Sequence, residues 1–276
     1  MKFASFQIDD RNSWGLVGPN VIHNLGAAFP DMKSAIGQLG SLDRSMAGPA
    51  IPLEKIRWMP VIPNPDKIIC VGLNYEMHRK ETGRSSVSHP TIFTRFANSQ
   101  VGHLEGLVKP RLSNELDYEG ELAIVIGWAG RHIDRSQAMQ HVAGFSCYND
   151  ASVRDFQRHT MQFTPGKNFP GTGAFGPWLV TPDEVGELAD LRISTVVNGQ
   201  TLQDARLGEM IFDIPSLIAY CSSFTRLEPG DVIVTGTPAG IGSRRTPPLW
   251  LSAGDKVDVV IDRVGTLSNR VIEEAE

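Results

Sequence analysis

The amino-acid sequence predicts a β-rich α+β protein. Strand patterns outnumber helical patterns, and the two kinds do not alternate regularly as they would in a doubly wound parallel sheet. The helical patterns are short, and the pair Asn198-Gly199 between two apolar runs predicts a type I′ hairpin. A chain of 276 residues can bury one large core, or a large and a small one.

The first 65 residues predict a small domain followed by a connector. Residues 1–50 combine short strand patterns with one helical pattern that ends before Gly40, which together indicate a small N-terminal α/β domain. These patterns cover Phe3–Ile8, Trp14–Val17, Val21–Leu25 and the helical Asp31–Leu39. Residues 51–65 contain repeated prolines and predict an extended connector.

Residues 66–276 predict a larger domain that begins with the apolar strand Lys67–Gly72. Further strands are expected over Thr91–Phe96, Glu119–Ile126, Trp178–Thr181, Leu191–Asn198, Asp231–Thr235 and Lys256–Ile261. Helices are expected over Ser136–His141, Ser152–His159 and Ile211–Phe224.

Composition excludes several classes of function. With 26 basic and 31 acidic residues the formal charge is -5, so no nucleic-acid partner is predicted. Three cysteines without metal-binding spacing indicate free thiols in a reducing compartment. No signal-peptide pattern is visible, and no apolar run approaches the ~18 residues of a membrane helix. A cytoplasmic enzyme without a membrane partner is the expectation.

The segment 116–127 carries two glutamates at the start of an apolar strand. Alternate side chains of a strand share a face, so Glu119 and Glu121 point the same way. Neighbouring carboxylates repel each other, and oxygen ligands suit Mg2+, Mn2+ or Ca2+, so the pair predicts a metal site. The alternative is an edge strand with a solvated acidic face. Asp150 would complete a trio of ligands, although by itself it could also be a capping or turn aspartate.

Two further positions have the chemistry of acid–base catalysis. His78 and Glu81 lie three residues apart on a short helical turn, and a histidine held by a carboxylate is the usual form of a general base. Lys167 lies in a loop of small residues and could supply a cation for developing negative charge. The alternatives are a casual pair on an exposed helix and a solvated lysine.

Two glycine-rich segments have partial similarity to nucleotide-binding loops. Residues 171–176 spell GxGxxG but follow no strand and precede no helix, so they predict a plain loop. Residues 236–242 follow a strand but lack the lysine and hydroxyl of a P-loop. Either a glycine turn or a backbone cradle beside a site fits this second segment.

Taken together, these motifs resemble the fumarylacetoacetate hydrolase superfamily, in the family's order and over about residues 66–275. The segments that carry the resemblance are Gly72–Tyr75 with His78 and Glu81, Leu116–Glu121, Asn149–Asp150 through Gln157, Gly166–Lys167 and Thr235–Gly242. The N-terminal residues resemble the small variable domain that many members carry.

The resemblance implies a mixed β-sandwich roll, a homodimer, and Mg2+ or Mn2+ on Glu119, Glu121 and Asp150. It implies His78 and Glu81 on a lid and Lys167 beside the reacting carbonyl group. Substrate-binding roles are expected for Gln157 and Thr237. This chain has Phe93–Phe96 where the family commonly shows Phe-x-Lys-Pro, and Arg95 in that segment is expected to bind a second substrate carboxylate. The alternative is that Arg95 forms a salt bridge with a structural acid or lies at the dimer surface.

The resulting expectation is a hydrolase that cleaves a carbon–carbon bond of a 2,4-dioxo acid, an acylpyruvate such as fumarylpyruvate. His78, oriented by Glu81, would activate water, and Lys167 would stabilise the negative charge that develops. Alternatives are an oxaloacetate decarboxylase and an isomerase or hydratase of 2-oxo-enoic acids in aromatic catabolism. A non-catalytic relative that binds a small acid belongs to a different class of function.

Overall fold

A computed structural model describes residues 1–42, 44–85 and 87–275 of the chain. The strands of the first half are β1 Lys2–Ile8, β2 Arg11–Gly18, β3 Val21–Asn24, β4 Ala50–Pro52, β5 Arg57–Trp58, β6 Ile68–Gly72, β7 Thr91–Arg95, β8 Gln100–Val101, β9 Gly106–Lys109, β10 Leu116–Asp117 and β11 Gly120–Ile126. Those of the second half are β12 Val142–Asn149, β13 Ser152–Val153, β14 Gly173–Val180, β15 Arg192–Val197, β16 Gln200–Arg206, β17 Val232–Val234, β18 Lys256–Ile261 and β19 Gly265–Glu273.

The helices are short apart from the last. They are α1 Met32–Ala35, α2 Glu76–Glu81, α3 Arg154–Gln157, α4 Thr164–Lys167, α5 Pro182–Val185 and α6 Ile214–Phe224. Single 3-10 turns cover Ile36–Ser41, Arg44–Met46, Leu53–Lys55, Ala97–Ser99, Ala138–His141, Leu207–Glu209 and Gly242–Arg244. None of the helices in the described ranges is both long and apolar enough to span a membrane.

A large mixed sheet forms the frame of the molecule. Its strand order is β4-β3-β2-β1-β14-β12-β11-β17-β6-β7, with β5 beside β1 and β8 beside β14. Strand β1 pairs with β14, where Phe3 lies opposite Leu179, so the N-terminal strands extend the same sheet as the predicted larger domain. The division into residues 1–50, 51–65 and 66–276 stays a prediction.

A second sheet packs on the first and closes the main core. Its order is β16-β15-β18-β19-β9, and one continuous apolar cluster joins residues of both sheets, such as Leu122 and Val259. Side chains of the second sheet pack directly on the backbone at Gly120, where an added Cβ would lie 2.1 Å from Thr195 Oγ1. Only glycine fits this approach, which holds the beginning of β11 against the second sheet. The β-rich α+β class and the sandwich of mixed sheets are confirmed.

The structure confirms the predicted hairpin turn and corrects two other local predictions of secondary structure. Both turn residues of the Asn198-Gly199 hairpin have positive φ, 50° and 84°, as a type I′ turn requires. Residues 173–176, predicted as part of a loop, are instead the beginning of β14, because pairing with β12 supplies their hydrogen bonds. The helix predicted over Ser152–His159 is shortened, since Ser152–Val153 pairs with β10 as a strand.

Candidate metal centre and active site

Three carboxylates meet where β11 begins and β12 ends. Strand β11 pairs antiparallel with β12 so that Gly120 lies opposite Asn149, which brings together the residues flanking this pair. The N–H of Asp150 donates to the carbonyl oxygen of Glu119 at 2.8 Å. One carboxylate oxygen from each of Glu119, Glu121 and Asp150 lies within 4.8 Å of the others, and all three side chains are buried. This set of hard oxygen donors fits one divalent cation.

Two buried cations that line the pocket neutralise part of this charge, in addition to Arg95, which lies behind it. Lys167 Nζ donates to Glu119 Oε2 at 2.7 Å and to Asp150 Oδ2 at 2.5 Å. Arg154 forms an ion pair with Glu119 Oε1 at 2.7 Å, and its Nε donates to Asp117 Oδ2 at 2.8 Å. Lys167 is only 1% exposed, so it is not a solvated loop lysine.

Glu121 differs from its neighbours because it forms no ion pair within the described ranges. Its carboxylate accepts a hydrogen bond from the N–H of Gly236 at 2.5 Å. Burial and the charges of Asp150 and Glu119 raise the pKa of Glu121 well above its usual range. Burial also disfavours the ionised form of Glu119. The charges of Lys167 and Arg154 outweigh burial and lower the pKa of Glu119 to about 2. A divalent cation would supply the positively charged partner that Glu121 lacks among the described residues.

The glycine-rich loop over residues 236–242 forms a backbone cradle for side chains of the protein itself. The N–H of Gly236 donates to Glu121, and the N–H of Gly240 donates to Glu81 Oε1 at 3.1 Å. One loop therefore holds a predicted metal ligand and the partner of the predicted base. The two interpretations left open by the sequence are both met, since the segment is a turn and also a cradle.

We expect Gly236→Ala to destabilise the protein more than Gly254→Ala does. Both glycines have left-handed φ, +102° and +95°. An added Cβ at Gly236 would lie 2.7 Å from Asn74 Cβ, whereas Gly254 has no atom within 4 Å. Each variant pays about 1–2 kcal/mol of backbone strain, and Gly236→Ala adds about 1–3 kcal/mol of overpacking. Urea denaturation measures the difference; equal losses would contradict the close contact.

Helix α2 carries the predicted general base. His78 Nδ1 lies 3.2 Å from Glu81 Oε2, and the imidazole is largely buried. The helix is anchored at its N-terminal end by Tyr75, which is buried, and by Asn74, which donates to the carbonyl oxygen of Thr235 at 2.8 Å. The expected lid movement stays a prediction.

The predicted residues converge on one cavity of about 570 Å³. Its lining includes His78, Glu119, Glu121, Lys167, Gln157 and Thr237. Asp150 lies beneath this surface and is fully buried. The structure thus brings the candidate base, the candidate cation and two of the three carboxylates to the floor of a single pocket, with Asp150 beneath them. Their catalytic and ligating roles stay predictions.

Arg95 is the exception, and the structure contradicts its expected contact with substrate. Its side chain is fully buried behind the trio, where Nη1 donates to Asp150 Oδ1 at 2.6 Å and to the carbonyl oxygen of Ala151 at 3.0 Å. Its Nη2 donates to Thr172 Oγ1 at 2.9 Å. An added Cβ at Gly173 would lie 2.8 Å from the same Nη2. The guanidinium therefore fixes Asp150, and Arg95 is not among the residues that line the pocket.

We expect Arg95→Met to weaken Mn2+ binding about 10- to 100-fold, the usual cost of losing a group that orients a metal ligand. The reason is that Asp150 would keep only Lys167 as a charged partner and could rotate. Calorimetry of Mn2+ binding measures the effect. Arg95→Lys retains the charge without the planar fork and should fall between wild type and Arg95→Met. Wild-type affinity in Arg95→Met would contradict this role.

Sequence reasoning missed two residues that organise the site. Asp117 is fully buried and accepts hydrogen bonds from Arg154 and from the N–H groups of Gly242, at 2.7 Å, and Ser243, at 3.0 Å. It thereby joins the glycine-rich loop to the cation that pairs with Glu119. Asp117 and Arg154 both lie in segments singled out by the sequence, and their charges within apolar surroundings were the available signal.

The comparisons with known proteins agree with this geometry. The sequence profile of the fumarylacetoacetate (FAA) hydrolase C-terminal family matches residues 67–272. A human mitochondrial oxaloacetate tautomerase is 38% identical over 93% of this chain and 88% of its own. The oxaloacetate tautomerase YisK of Bacillus subtilis is 42% identical over 79% of this chain and 74% of its own.

Solved structures show the same fold over the whole chain. A fumarylacetoacetate hydrolase from Exiguobacterium antarcticum has a TM-score of 0.89 at 35% identity, with 99% of this chain and 100% of that chain covered. A Sphingobium maleylpyruvate hydrolase in complex with manganese(II) and pyruvate has a TM-score of 0.83 at 28% identity, with 100% of both chains covered. The chain therefore belongs to the fumarylacetoacetate hydrolase superfamily of enzymes.

Proposed function

We propose that the protein interconverts the keto and enol forms of a 2-oxo dicarboxylic acid such as oxaloacetate, with the help of a divalent metal ion. The observation that carries this proposal is that His78 and Lys167 line the same pocket as two members of the carboxylate trio. Relatives with 38% and 42% identity that are named oxaloacetate tautomerases support the choice of reaction.

The donor set fits Mg2+ or Mn2+, and Glu119, Glu121 and Asp150 would hold the ion. When bound, it supplies Lewis-acid polarisation of the 2-oxo group. Lys167 is buried against two of the carboxylates, whose charges raise its pKa although burial opposes this. It therefore stays protonated and stabilises negative charge on the 2-oxo oxygen.

The proton transfer is assigned to the histidine. Nδ1 of His78 faces Glu81, and the other ring nitrogen has no hydrogen-bond partner in the described part of the chain, so it could take a proton from carbon 3 of the keto acid. His78 then returns this proton to the oxygen on carbon 2, so the reaction moves one proton and breaks no carbon–carbon bond. Glu81 is itself held by the N–H of Gly240, which fixes the orientation of the ring.

The test follows the ultraviolet absorbance of freshly dissolved enol-oxaloacetate with Mg2+ or Mn2+, together with an assay for pyruvate. We expect enzyme to accelerate loss of the absorbance over metal ion alone, without pyruvate release. Stoichiometric release of pyruvate would identify a decarboxylase instead. No acceleration with either metal ion would overturn the proposed function.

Hydrolysis of an acylpyruvate is the second candidate. The His78–Glu81 pair could activate water as readily as it moves a substrate proton, and the Sphingobium relative is named a maleylpyruvate hydrolase. A panel of acylpyruvates distinguishes the two reactions, because hydrolysis releases pyruvate and a carboxylic acid in equal amounts. Turnover of oxaloacetate without turnover of this panel would exclude the hydrolase.

Assembly and location are further proposals. We infer a homodimer, which sedimentation equilibrium of the metal-loaded protein would test. A cytoplasmic location is proposed from the sequence, whereas the human relative is named as mitochondrial. Fractionation of cells that express the full chain measures the location directly.

A further inference from the structure

The mouth of the pocket has a different charge from its floor. Arg84, Arg158 and Arg244 line the mouth, and all three are exposed. Within the described ranges, the acidic residues of the lining are Glu119 and Glu121 on the floor. The upper part of the pocket is therefore basic.

Two of the three arginines have no carboxylate partner in the described part of the chain. Arg158 is already in an ion pair with Glu115. Arg244 has one weak contact, from Nη2 to the carbonyl oxygen of Thr82 at 3.5 Å. Arg84 forms no ion pair within the described ranges. Unpaired guanidinium groups at a pocket mouth are suited to bind a carboxylate of the ligand.

Both arginines are positioned by elements that also hold the floor. Arg244 follows the loop whose Gly240 N–H binds Glu81, and Arg84 follows helix α2, which carries His78. A ligand that touches both arginines would therefore link helix α2 to the glycine-rich loop.

The pocket lining also contains apolar side chains. Phe93 and Phe163 pack edge to face with ring centroids 5.7 Å apart, and the exposed Met161 and Val87 belong to the same lining. The cavity of about 570 Å³ is much larger than a four-carbon acid. A lining that combines buried carboxylates, apolar side chains and exposed arginines suits an acid with a polar head, an apolar chain and a second anionic group.

We propose that Arg84 and Arg244 bind the distal carboxylate of a dicarboxylic 2-oxo acid whose oxo-acid head lies at the carboxylate trio. This inference rests on the proposed function for the position of the head. The pair selects dicarboxylic over monocarboxylic acids, and the size of the pocket admits chains longer than that of oxaloacetate. Arginine suits this task because its planar fork binds a carboxylate through two hydrogen bonds.

The test compares two acids of equal length that differ only in the distal carboxylate, 2-oxoglutarate and 2-oxopentanoate. Calorimetry with Mn2+-loaded protein should show that wild type binds 2-oxoglutarate about 10-fold more tightly or better, since each 1.4 kcal/mol is tenfold. Arg244→Met and Arg84→Met should each lose about 10-fold for 2-oxoglutarate and nothing for 2-oxopentanoate. Arg226→Met is the matched control, because Arg226 is exposed and lies outside the pocket lining.

The outcomes separate this proposal from the proposed function. The role of the arginines alone would be overturned if wild type bound the two acids with equal affinity. It would also be overturned if the arginine variants lost the same affinity for 2-oxopentanoate as for 2-oxoglutarate. Failure of both acids to bind would overturn the proposed function as well. A similar loss in Arg226→Met would show a general effect of protein charge and would also overturn the proposal.

Discussion

Glu121→Gln is expected to abolish Mn2+ binding without destabilising the metal-free protein. Glu121 is buried, faces Asp150 and Glu119, and forms no ion pair within the described ranges. A neutral amide of the same shape removes this repulsion and can still accept the hydrogen bond from Gly236. The metal-free variant should therefore be at least as stable as wild type, whereas the loaded form loses a ligand.

Glu119→Gln should have the opposite effect on the metal-free protein. Glu119 pairs with Lys167 and Arg154, both at 2.7 Å and both buried. Breaking a buried pair by removing one partner costs about 3–5 kcal/mol. Both variants should lose Mn2+ binding, so the sign of the stability change in metal-free protein distinguishes the two positions.

Thermal unfolding with chelator and with excess Mn2+ measures both effects. Wild type should gain about 2.7 kcal/mol when free Mn2+ is 100 times its dissociation constant, and neither variant should gain. A metal-free Glu121→Gln protein that is less stable than wild type by the same amount as Glu119→Gln would contradict the charge assignment. Mn2+ stabilisation of either variant to the wild-type extent would contradict the metal site.

His78→Ala is expected to lower turnover of the substrate by about 100-fold or more, the usual contribution of a general base. The imidazole lies on the pocket floor with Nδ1 held by Glu81, so its loss removes the group that moves the proton. Metal binding should be unchanged, because His78 is not one of the three clustered oxygen donors.

The experiment measures kcat with oxaloacetate and Mn2+ affinity on the same preparation. His141→Ala is a suitable control, since His141 is outside the pocket lining and hydrogen-bonds the backbone of Trp128. Near wild-type kcat in His78→Ala would assign proton transfer to another group. A simultaneous loss of Mn2+ affinity would indicate that the variant disturbs the trio and not the base alone.

The sequence by itself determined the features that depend on local spacing. Glu119 and Glu121 are two residues apart on an extended segment, and His78 and Glu81 are three apart on a helix, so each pair could be assigned to one face. The hairpin at Asn198-Gly199 followed from backbone preferences of those two residues alone. The resemblance of several ordered motifs then indicated the superfamily.

Tertiary structure alone decided which charges meet. Arg95 was expected at the substrate, but the chain places it behind Asp150, since β7 runs at the sheet edge beside β6 while Thr172 and Gly173 make room for the guanidinium. Residues far apart in sequence, such as Gly236 and Glu121, become hydrogen-bond partners only through the pairing of β11 with β17. Local periodicity specifies a side chain's face on its own element, but its partner is set by how elements pack, and that depends on the whole chain.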